Sequence, residues 1–230
     1  MRYDCLGDAM LFNADCRDVM CLLPRVQAVV TDPPYGIKYK TKYRQVMDTP
    51  AMLVGDDSAP LWSVGLMAAQ VCDGGALYIC TSFKVFDSWL GEIRRVGLTP
   101  KTPIVWDKTA HTAGDLQGDY GCRTELILFA HKGRHILRGG RPQNLWAVPR
   151  EPAGPHPTPK PVELMRRCIV NSTDPGDIIL DPFMGSGTTG VAALQTGRKF
   201  IGIEIDQGYY SLVYNRIAAI SKPATAGGGI

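Results

Sequence analysis

Asp32-Pro33-Pro34-Tyr35 closes the apolar run Val26-Gln27-Ala28-Val29-Val30-Thr31. An acid, two rigid residues and an aromatic ring at the carboxyl end of a buried strand suit a flat ring carrying an exocyclic amine. Tyr35 would stack on the ring, while Asp32 and the Pro33 carbonyl would accept the two amine hydrogens. Neither proline has an N–H, so this turn offers the amine acceptors rather than competing donors. Open α/β sheets bind ligands beyond the carboxyl ends of their strands, which is where the tetrapeptide would lie. Proline and glycine also end strands with no ligand in view, so its meaning depends on the motifs around it.

The run from Ile178 to Gly190 reads strand, glycine turn, helix. Gly185, Gly187 and Gly190 satisfy G-x-G-x-x-G in the context that motif requires, and Glu204 follows 17 residues after Gly187 at the end of the next strand. A carboxylate about 20 residues on is expected to grip ribose hydroxyls. The glycines admit a ligand close to the backbone, and the N–H groups of a helix start suit a carboxylate or phosphate. This fingerprint does not choose between a dinucleotide and another adenosine-bearing cofactor. Asp181-Pro182-Phe183 before the glycines is unusual for a dinucleotide site: the acid suits an ammonium, and the ring suits an aliphatic or sulfonium-bearing chain.

Three motifs occur in one order: Asp32-Pro33-Pro34-Tyr35, then His156-Pro157-Thr158-Pro159-Lys160-Pro161, then Asp181-Pro182-Phe183-Met184-Gly185-Ser186-Gly187-Thr188-Thr189. Together they resemble the amino-methylating DNA methyltransferases that use S-adenosylmethionine, in the order of the class called beta. The resemblance runs from about Asn13 to Arg216 and includes Ile104–Lys108 and Glu125–Ala130. It implies that Asp32, Pro33 and Pro34 hold the target amine and that Tyr35 stacks on a flipped base. It implies that Phe183, Gly185, Ser186, Gly187 and Thr188 cradle the methionine part of the cofactor. Asp181 would lie near the ammonium, Glu204 on the ribose, and Asp15-Cys16 near the adenine. Lys160 belongs to a cover over the methionine end. Asp15 is equally suited to cap the helix that follows it, and the two roles can coexist. S-adenosylhomocysteine would be the product, and no metal is required. Aspartate at position 32 accompanies N6-adenine methylation in the family, whereas serine accompanies N4-cytosine methylation; adenine is therefore expected and cytosine is the alternative.

Double-stranded DNA is the expected partner. Lys38, Lys40, Lys42 and Arg44 interleave with Tyr39 and Tyr43 just after the tetrapeptide, a composition able to neutralise phosphates and fill the space of a flipped base. The span 126–150 has no acidic residue and carries Lys132, Arg134, Arg138, Arg141 and Arg150, where the family places its sequence-reading region. Only 25 residues separate Ala130 from His156, too few for an independent recognition domain. A short or relaxed site, or a homodimer whose second subunit supplies contacts, would follow. Three rival readings stand beside this one. An NAD- or FAD-dependent oxidoreductase leaves the Asp32 and His156 motifs unexplained, a silent DNA-binding protein leaves Asp32 and Glu204 without purpose, and the same chemistry on RNA or a glutamine amide changes only the substrate. Cysteine nucleophilic catalysis is disfavoured because no Pro-Cys pair occurs.

The elements that must position these residues alternate. Strand-like runs fall at Met10–Asn13, Val26–Thr31, Ala76–Thr81, Thr102–Trp106, Glu125–Ala130, Asp177–Leu180 and Lys199–Ile203. Helical patterns fall at Arg17–Leu23, Leu61–Cys72, Phe83–Val96, Pro161–Asn171, Thr188–Gln195 and Tyr209–Ser221. This predicts an α/β, Rossmann-like fold: a mostly parallel sheet with helices on both faces, an antiparallel strand pair at one edge and short inserted DNA-contacting loops. One catalytic domain over 1–222 is expected, with inserted loops 36–59 and 132–159 and a flexible tail 223–230. At 230 residues, 45% hydrophobic and 20% charged, the composition is that of an ordinary globular chain, and a net charge of +3 is too mild to announce nucleic-acid binding by itself. Seven cysteines without a C-x-x-C pair point to reduced thiols rather than disulfides or zinc. With no apolar leader and no membrane-length stretch, a cytoplasmic bacterial or phage protein is expected.

Overall fold

The computed structural model describes residues 2–36, 58–111, 117–151 and 160–221. Lys38, Lys40, Lys42 and Arg44, the residues 156–159 and the tail 223–230 lie outside them.

The chain begins with a hairpin, β1 (Arg2–Leu6) and β2 (Ala9–Asn13), then runs through α1 (Cys16–Val19), a 3-10 turn (Met20–Leu22) and β3 (Val26–Thr31). Next come α2 (Ser63–Gln70), β4 (Val71–Thr81), α3 (Phe86–Arg95), β5 (Thr99–Pro100), β6 (Ile104–Asp107), β7 (Thr124–His131) and β8 (Leu145–Ala147). The last part is α4 (Val162–Ser172), β9 (Ile178–Asp181), α5 (Thr188–Gln195), β10 (Lys199–Glu204) and α6 (Gln207–Ser221). The described strands form one sheet in the order β1-β2-β10-β9-β3-β4-β7-β6-β8, with β5 beside β7.

Strands β2, β10, β9, β3 and β4 are mutually parallel. They are buried on both faces, which is why they read as apolar runs rather than alternations. Along β3, Ala28 and Val30 face one core and Val29 faces the other, as the two-residue period of a strand demands. One core takes Leu164, Cys168, Val191, Val213 and Ile217 from α4, α5 and α6. The other takes Val19, Val64, Met67, Trp89 and Ile93 from α1, the 3-10 turn's neighbours, α2 and α3.

The expected antiparallel pair exists, with Ile104 opposite Ile127 and Asp107 opposite Thr124, but it is not isolated at an edge. β7 also pairs antiparallel with β4, and β8 lies outside β6 as the edge strand. A second antiparallel pair, β1 with β2, closes the other edge. The helix expected over Leu61–Cys72 stops at Gln70, where Val71 turns extended and pairs with Val26 as the start of β4. Its apolar residues continue a pattern that fits either element, and pairing with β3 decides between them. Among the described residues no helix is long and apolar enough to cross a membrane.

Candidate active site

The chain leaves β9 for β10 on one side and β3 for β4 on the other, so the sheet's connections diverge between β9 and β3. Such a divergence opens a crevice at the strands' carboxyl ends. Thr31, the last residue of β3, donates its hydroxyl hydrogen to Asp181 Oδ1, the last residue of β9, at 2.7 Å. Asp32 follows Thr31 immediately. The two acids that the sequence assigned to different ligands therefore flank one crevice.

On the β3 side, Asp32 Oδ1 accepts from the Tyr35 hydroxyl at 2.9 Å and Oδ2 lies 3.3 Å from Lys160 Nζ. Lys160, just ahead of α4, also donates to the Tyr35 oxygen at 2.9 Å and to Glu125 Oε2 at 3.0 Å. Glu125 Oε1 in turn lies 3.3 Å from Lys108 Nζ, whose side chain is only 3% exposed. The charges alternate along this row: Asp32, Lys160, Glu125, Lys108. Burial raises the Asp32 carboxyl above its ordinary range and Lys160 opposes that rise. Burial likewise works against the charge on Glu125, but Lys160 and Lys108 outweigh it and hold this carboxyl low. Burial alone would lower Lys160; the Asp32, Tyr35 and Glu125 side chains around it instead lift its ammonium well above the usual lysine value. The Lys160 ammonium also sits 5.2 Å from the Tyr35 ring centre and 5.8 Å from that of Trp106, both within cation–π range.

On the β9 side, Asp181 is 2% exposed. Burial pushes its carboxyl up to about 7, against hydrogen bonds from Thr31, Thr189 and the Phe183 N–H. No ion pair to Asp181 is formed among the described residues. A buried acid raised in this way, at the mouth of a crevice, is a candidate binding group. The turn after it folds back onto Glu204: Gly185 donates its N–H to Glu204 Oε2 at 2.9 Å, and Asp206 donates to Oε1 at 2.8 Å. Burial raises Glu204 and these two N–H groups restrain it. Gly187, just ahead of α5, has φ +75°, and a Cβ there would meet Val213 Cγ1 at 2.7 Å. A Cβ on Gly190 would meet Phe200 at 2.7 Å. The glycines therefore serve close helix packing as well as backbone access. Ser186 and Thr188 share a 3.1 Å hydroxyl contact, and Arg216 from α6 pins the Ser186 carbonyl at 2.9 Å. The Phe183 ring meets Trp62 edge-on, 6.4 Å between centres.

The residues expected near an adenine occupy the neighbouring strand end. Asp15 caps α1 by accepting the Arg17 N–H at 2.9 Å, and Arg17 holds its carboxyl below the usual range. Cys16 is buried, and that burial, with Asp15 beside it, pushes the thiol up to about 12. Ala14 N and Asn13 Nδ2 both donate to the Glu204 carbonyl, at 3.1 and 2.9 Å, which fastens Asp15 to the Glu204 strand end.

The basic segment after β7 is placed apart from Asp32. β7 runs opposite to β4, so its end at His131 lies beside Ala76, whereas its start lies beside the site end at Thr81. Lys132 consequently caps α2 from the far end of the sheet, donating to the Ala68 and Val71 carbonyls at 3.3 Å each. Arg138 pairs with Asp174 at 2.9 Å ahead of β9. Arg134 and Arg138 line a cavity of about 260 Å³ with Gln27, Asp73 and Ser172 at that far end. Arg141 precedes β8, which starts at the same end because it runs parallel to β6. Lys132, Arg134 and Arg138 thus lie towards the opposite end of the sheet from Asp32, and Arg141 leads into the start of β8. Strand direction, which basic composition does not encode, sets this placement.

Sequence reasoning missed Thr31, Lys108, Glu125 and Arg216. Lys108 follows β6 and Glu125 lies near the start of β7, at ends that only the pairing of those strands brings together. Among the described residues no group of three or more His, Cys, Asp or Glu side chains is placed to hold a metal ion.

A model of the family described as DNA methylase matches residues 26–215 of this chain. The DNA adenine methyltransferase YhdJ of Escherichia coli (strain K12) is 47% identical over 85 residues, 35% of this chain and 29% of that protein. The crystal structure of an M1.HpyAVI–SAM complex superposes with a TM-score of 0.70 at 27% identity, covering 90% of this chain and 99% of the other. The PvuII cytosine-N4-specific DNA methyltransferase shares the fold, with a TM-score of 0.72 at 15% identity over 98% of this chain and 92% of that one.

Proposed function

This chain belongs to the DNA methylase family, and we propose that it methylates the exocyclic N6 amine of adenine in duplex DNA with S-adenosylmethionine as methyl donor. The observation that carries this reading is the pair of crevice acids joined through Thr31: Asp32 on the side of the target amine and Asp181, buried with no ion-pair partner among the described residues, on the cofactor side. Asp181 and the turn from Phe183 to Thr188 fit the methionine end of the donor, Glu204 fits its ribose, and Asp15 with Cys16 its adenine. The M1.HpyAVI structure, a SAM complex of the same fold, supports that fit.

When bound, the cofactor supplies an electrophilic methyl group, so that a nitrogen–carbon bond forms as the carbon–sulfur pair returns to sulfur. The work left to the protein is positioning and charge stabilisation. An aromatic amine is a poor nucleophile because its lone pair is delocalised into the ring. Asp32 and the Pro33 carbonyl, accepting out of the ring plane, favour a pyramidal nitrogen and free that pair. Asp32 then balances the positive charge that develops on nitrogen, and the proton that this nitrogen sheds passes to Asp32 or to solvent. Tyr35, steadied by its hydrogen bond to Asp32, offers a stacking face to a base that has left the duplex.

Aspartate at position 32 favours adenine, and the similarity to YhdJ agrees; N4 of cytosine is the second reading, because the PvuII enzyme puts that reaction on this fold. Incubation with unmethylated duplex DNA and S-adenosylmethionine, followed by nucleoside mass analysis, decides. N6-methyladenine is expected. N4-methylcytosine would replace the base assignment and keep the mechanism, and product on RNA or protein alone would remove DNA as substrate.

A further inference from the structure

We propose that Lys160 is a positioning residue for Asp32, held in place by Glu125 and Lys108, and that it is not a ligand of the cofactor. The inference rests on the functional reading above and departs from the role that the sequence suggests for Lys160.

An ammonium has three N–H donors, and Lys160 has three oxygen acceptors around it: Tyr35 at 2.9 Å, Glu125 at 3.0 Å and Asp32 at 3.3 Å. Its side chain is 10% exposed, so water does not replace a partner that it gives up. Two donors are taken by the hydrogen bonds to Tyr35 and Glu125, and the ion pair with Asp32 occupies the remaining side of the ammonium among the described residues. The Asp32 carboxylate, by contrast, has about four acceptor positions. Tyr35 takes one on Oδ1 and Lys160 one on Oδ2, which fixes the plane of the group and leaves a position on each oxygen for the incoming amine. Glu125 balances the second half of the ammonium charge, and Lys108 balances what remains on Glu125. Each carboxylate in the row thus has its own cation, and the row spans the segment after β6, β7, the residue before Pro161 and the end of β3.

The groups facing Asp32 are Lys160, Tyr35 from its own turn, Glu125 from β7 and Cys80 from β4, with Asp181 across the crevice. Lys160 is the cation among these described neighbours. Removing it leaves burial and two other acids pushing Asp32 towards the protonated carboxyl, with the Tyr35 hydrogen bond alone opposing them. A protonated Asp32 has lost half its acceptor capacity and cannot balance a developing ammonium. The acidic limb of the rate profile must then move to higher pH, while a true cofactor ligand would leave the limb in place and weaken cofactor binding.

The test uses the full chain with Lys160→Met and Lys160→Arg, kcat for methyl transfer to unmethylated duplex DNA from pH 5.5 to 9, and the S-adenosylmethionine Kd by equilibrium dialysis. In Lys160→Met the acidic limb is expected to rise by about one to three pH units, with Kd within about twofold of wild type and kcat recovering at high pH; Lys160→Arg returns the limb towards its original place. A Kd weakened tenfold or more with an unmoved limb overturns the proposal and makes Lys160 a cofactor ligand. Should Lys160→Met not fold, Glu125→Gln is measured instead. An unanchored Lys160 predicts kcat down about tenfold at unchanged Kd, and unchanged kcat overturns the proposal. Wild-type protein that yields no methylated nucleoside overturns the functional reading and this one with it; wild-type product together with an unmoved limb overturns this one alone.

Discussion

Asp32 and Asp181 are both aspartates at strand ends, yet their surroundings set them different tasks. Asp32 has a lysine beside it; Asp181 has hydroxyls and an N–H. Asp32→Ala is therefore expected to reduce methyl transfer by about 10²–10³-fold or more while cofactor affinity in dialysis stays near wild type; near-normal turnover would sink the assignment. Asp181 gives a pH signature. Its carboxyl is raised from 3.8 to about 7, so it is protonated below pH 7 and unable to hold an ammonium. Cofactor affinity should fall by roughly tenfold for each pH unit below 7, and Asp181→Asn should bind weakly with no such slope. The linkage has the opposite sign for the cofactor-free fold: a raised carboxyl stabilises it at low pH, and that contribution is lost as pH rises from about 4 to 7. Asp181→Asn should accordingly raise Tm at pH 8 without cofactor, and a lower Tm there would show that burial is not what raises Asp181.

At the scale of elements, the glycine turn shows what a sequence can and cannot reveal. G-x-G-x-x-G placed a strand, a turn and a helix correctly, and α5 spans Thr188–Gln195 as its apolar pattern predicts. The motif says nothing of Val213, a residue of α6 that leaves no room for a Cβ at Gly187. Gly187→Ala is expected to cost about 1–3 kcal/mol by its positive φ and this contact. In denaturant unfolding, the cost should be smaller in a Val213→Ala background, and equal costs in both backgrounds would exclude the contact. The same limit explains the rest of the site. Asp32, Tyr35, Asp181 and Glu204 were legible because each lies in a local pattern. Glu125 and Lys108 were not, because their partners come from antiparallel pairing of β6 and β7. β8 was lost inside a proline-rich run, being three residues long.

For the whole molecule, strand direction puts the basic residues of two segments at opposite ends of the sheet, and the proposed function assigns DNA to the end that carries Asp32. The face around Asp32 carries the turn after β4, with Phe83 70% exposed and Lys84 beside it. It also carries the segment after β8, where Val148 donates to the Asp107 carbonyl and Arg150 follows in solvent. Replacing Lys84 and Arg150 together by alanine should lessen the salt slope of DNA binding by about two. The double replacement of Arg134 and Arg138, at the other end, should leave it unchanged. The reverse pattern would put the DNA on the far face and remove Asp32 from the reaction. With 132–144 spent at that far end, recognition contacts have still fewer residues to draw on. A dimer, tested by sedimentation with and without DNA, would supply them; a fully active monomer would point to a short or relaxed site.

The 2.7 Å hydrogen bond from Thr31 to Asp181 ties the two ligands' fortunes together. Thr31 belongs to the strand that presents Asp32, and the proposed function puts Asp181 against the methyl donor, so charge drawn to one side would be felt one residue from the other. Such influence is reciprocal by thermodynamic necessity: if the donor tightens the hold on an extruded base, the base tightens the hold on the donor by the same factor. Thr31→Val keeps the shape and deletes the hydroxyl. Donor affinity measured with and without DNA should differ in the wild type and converge in this variant, leaving an enzyme that binds each partner as if the other were absent.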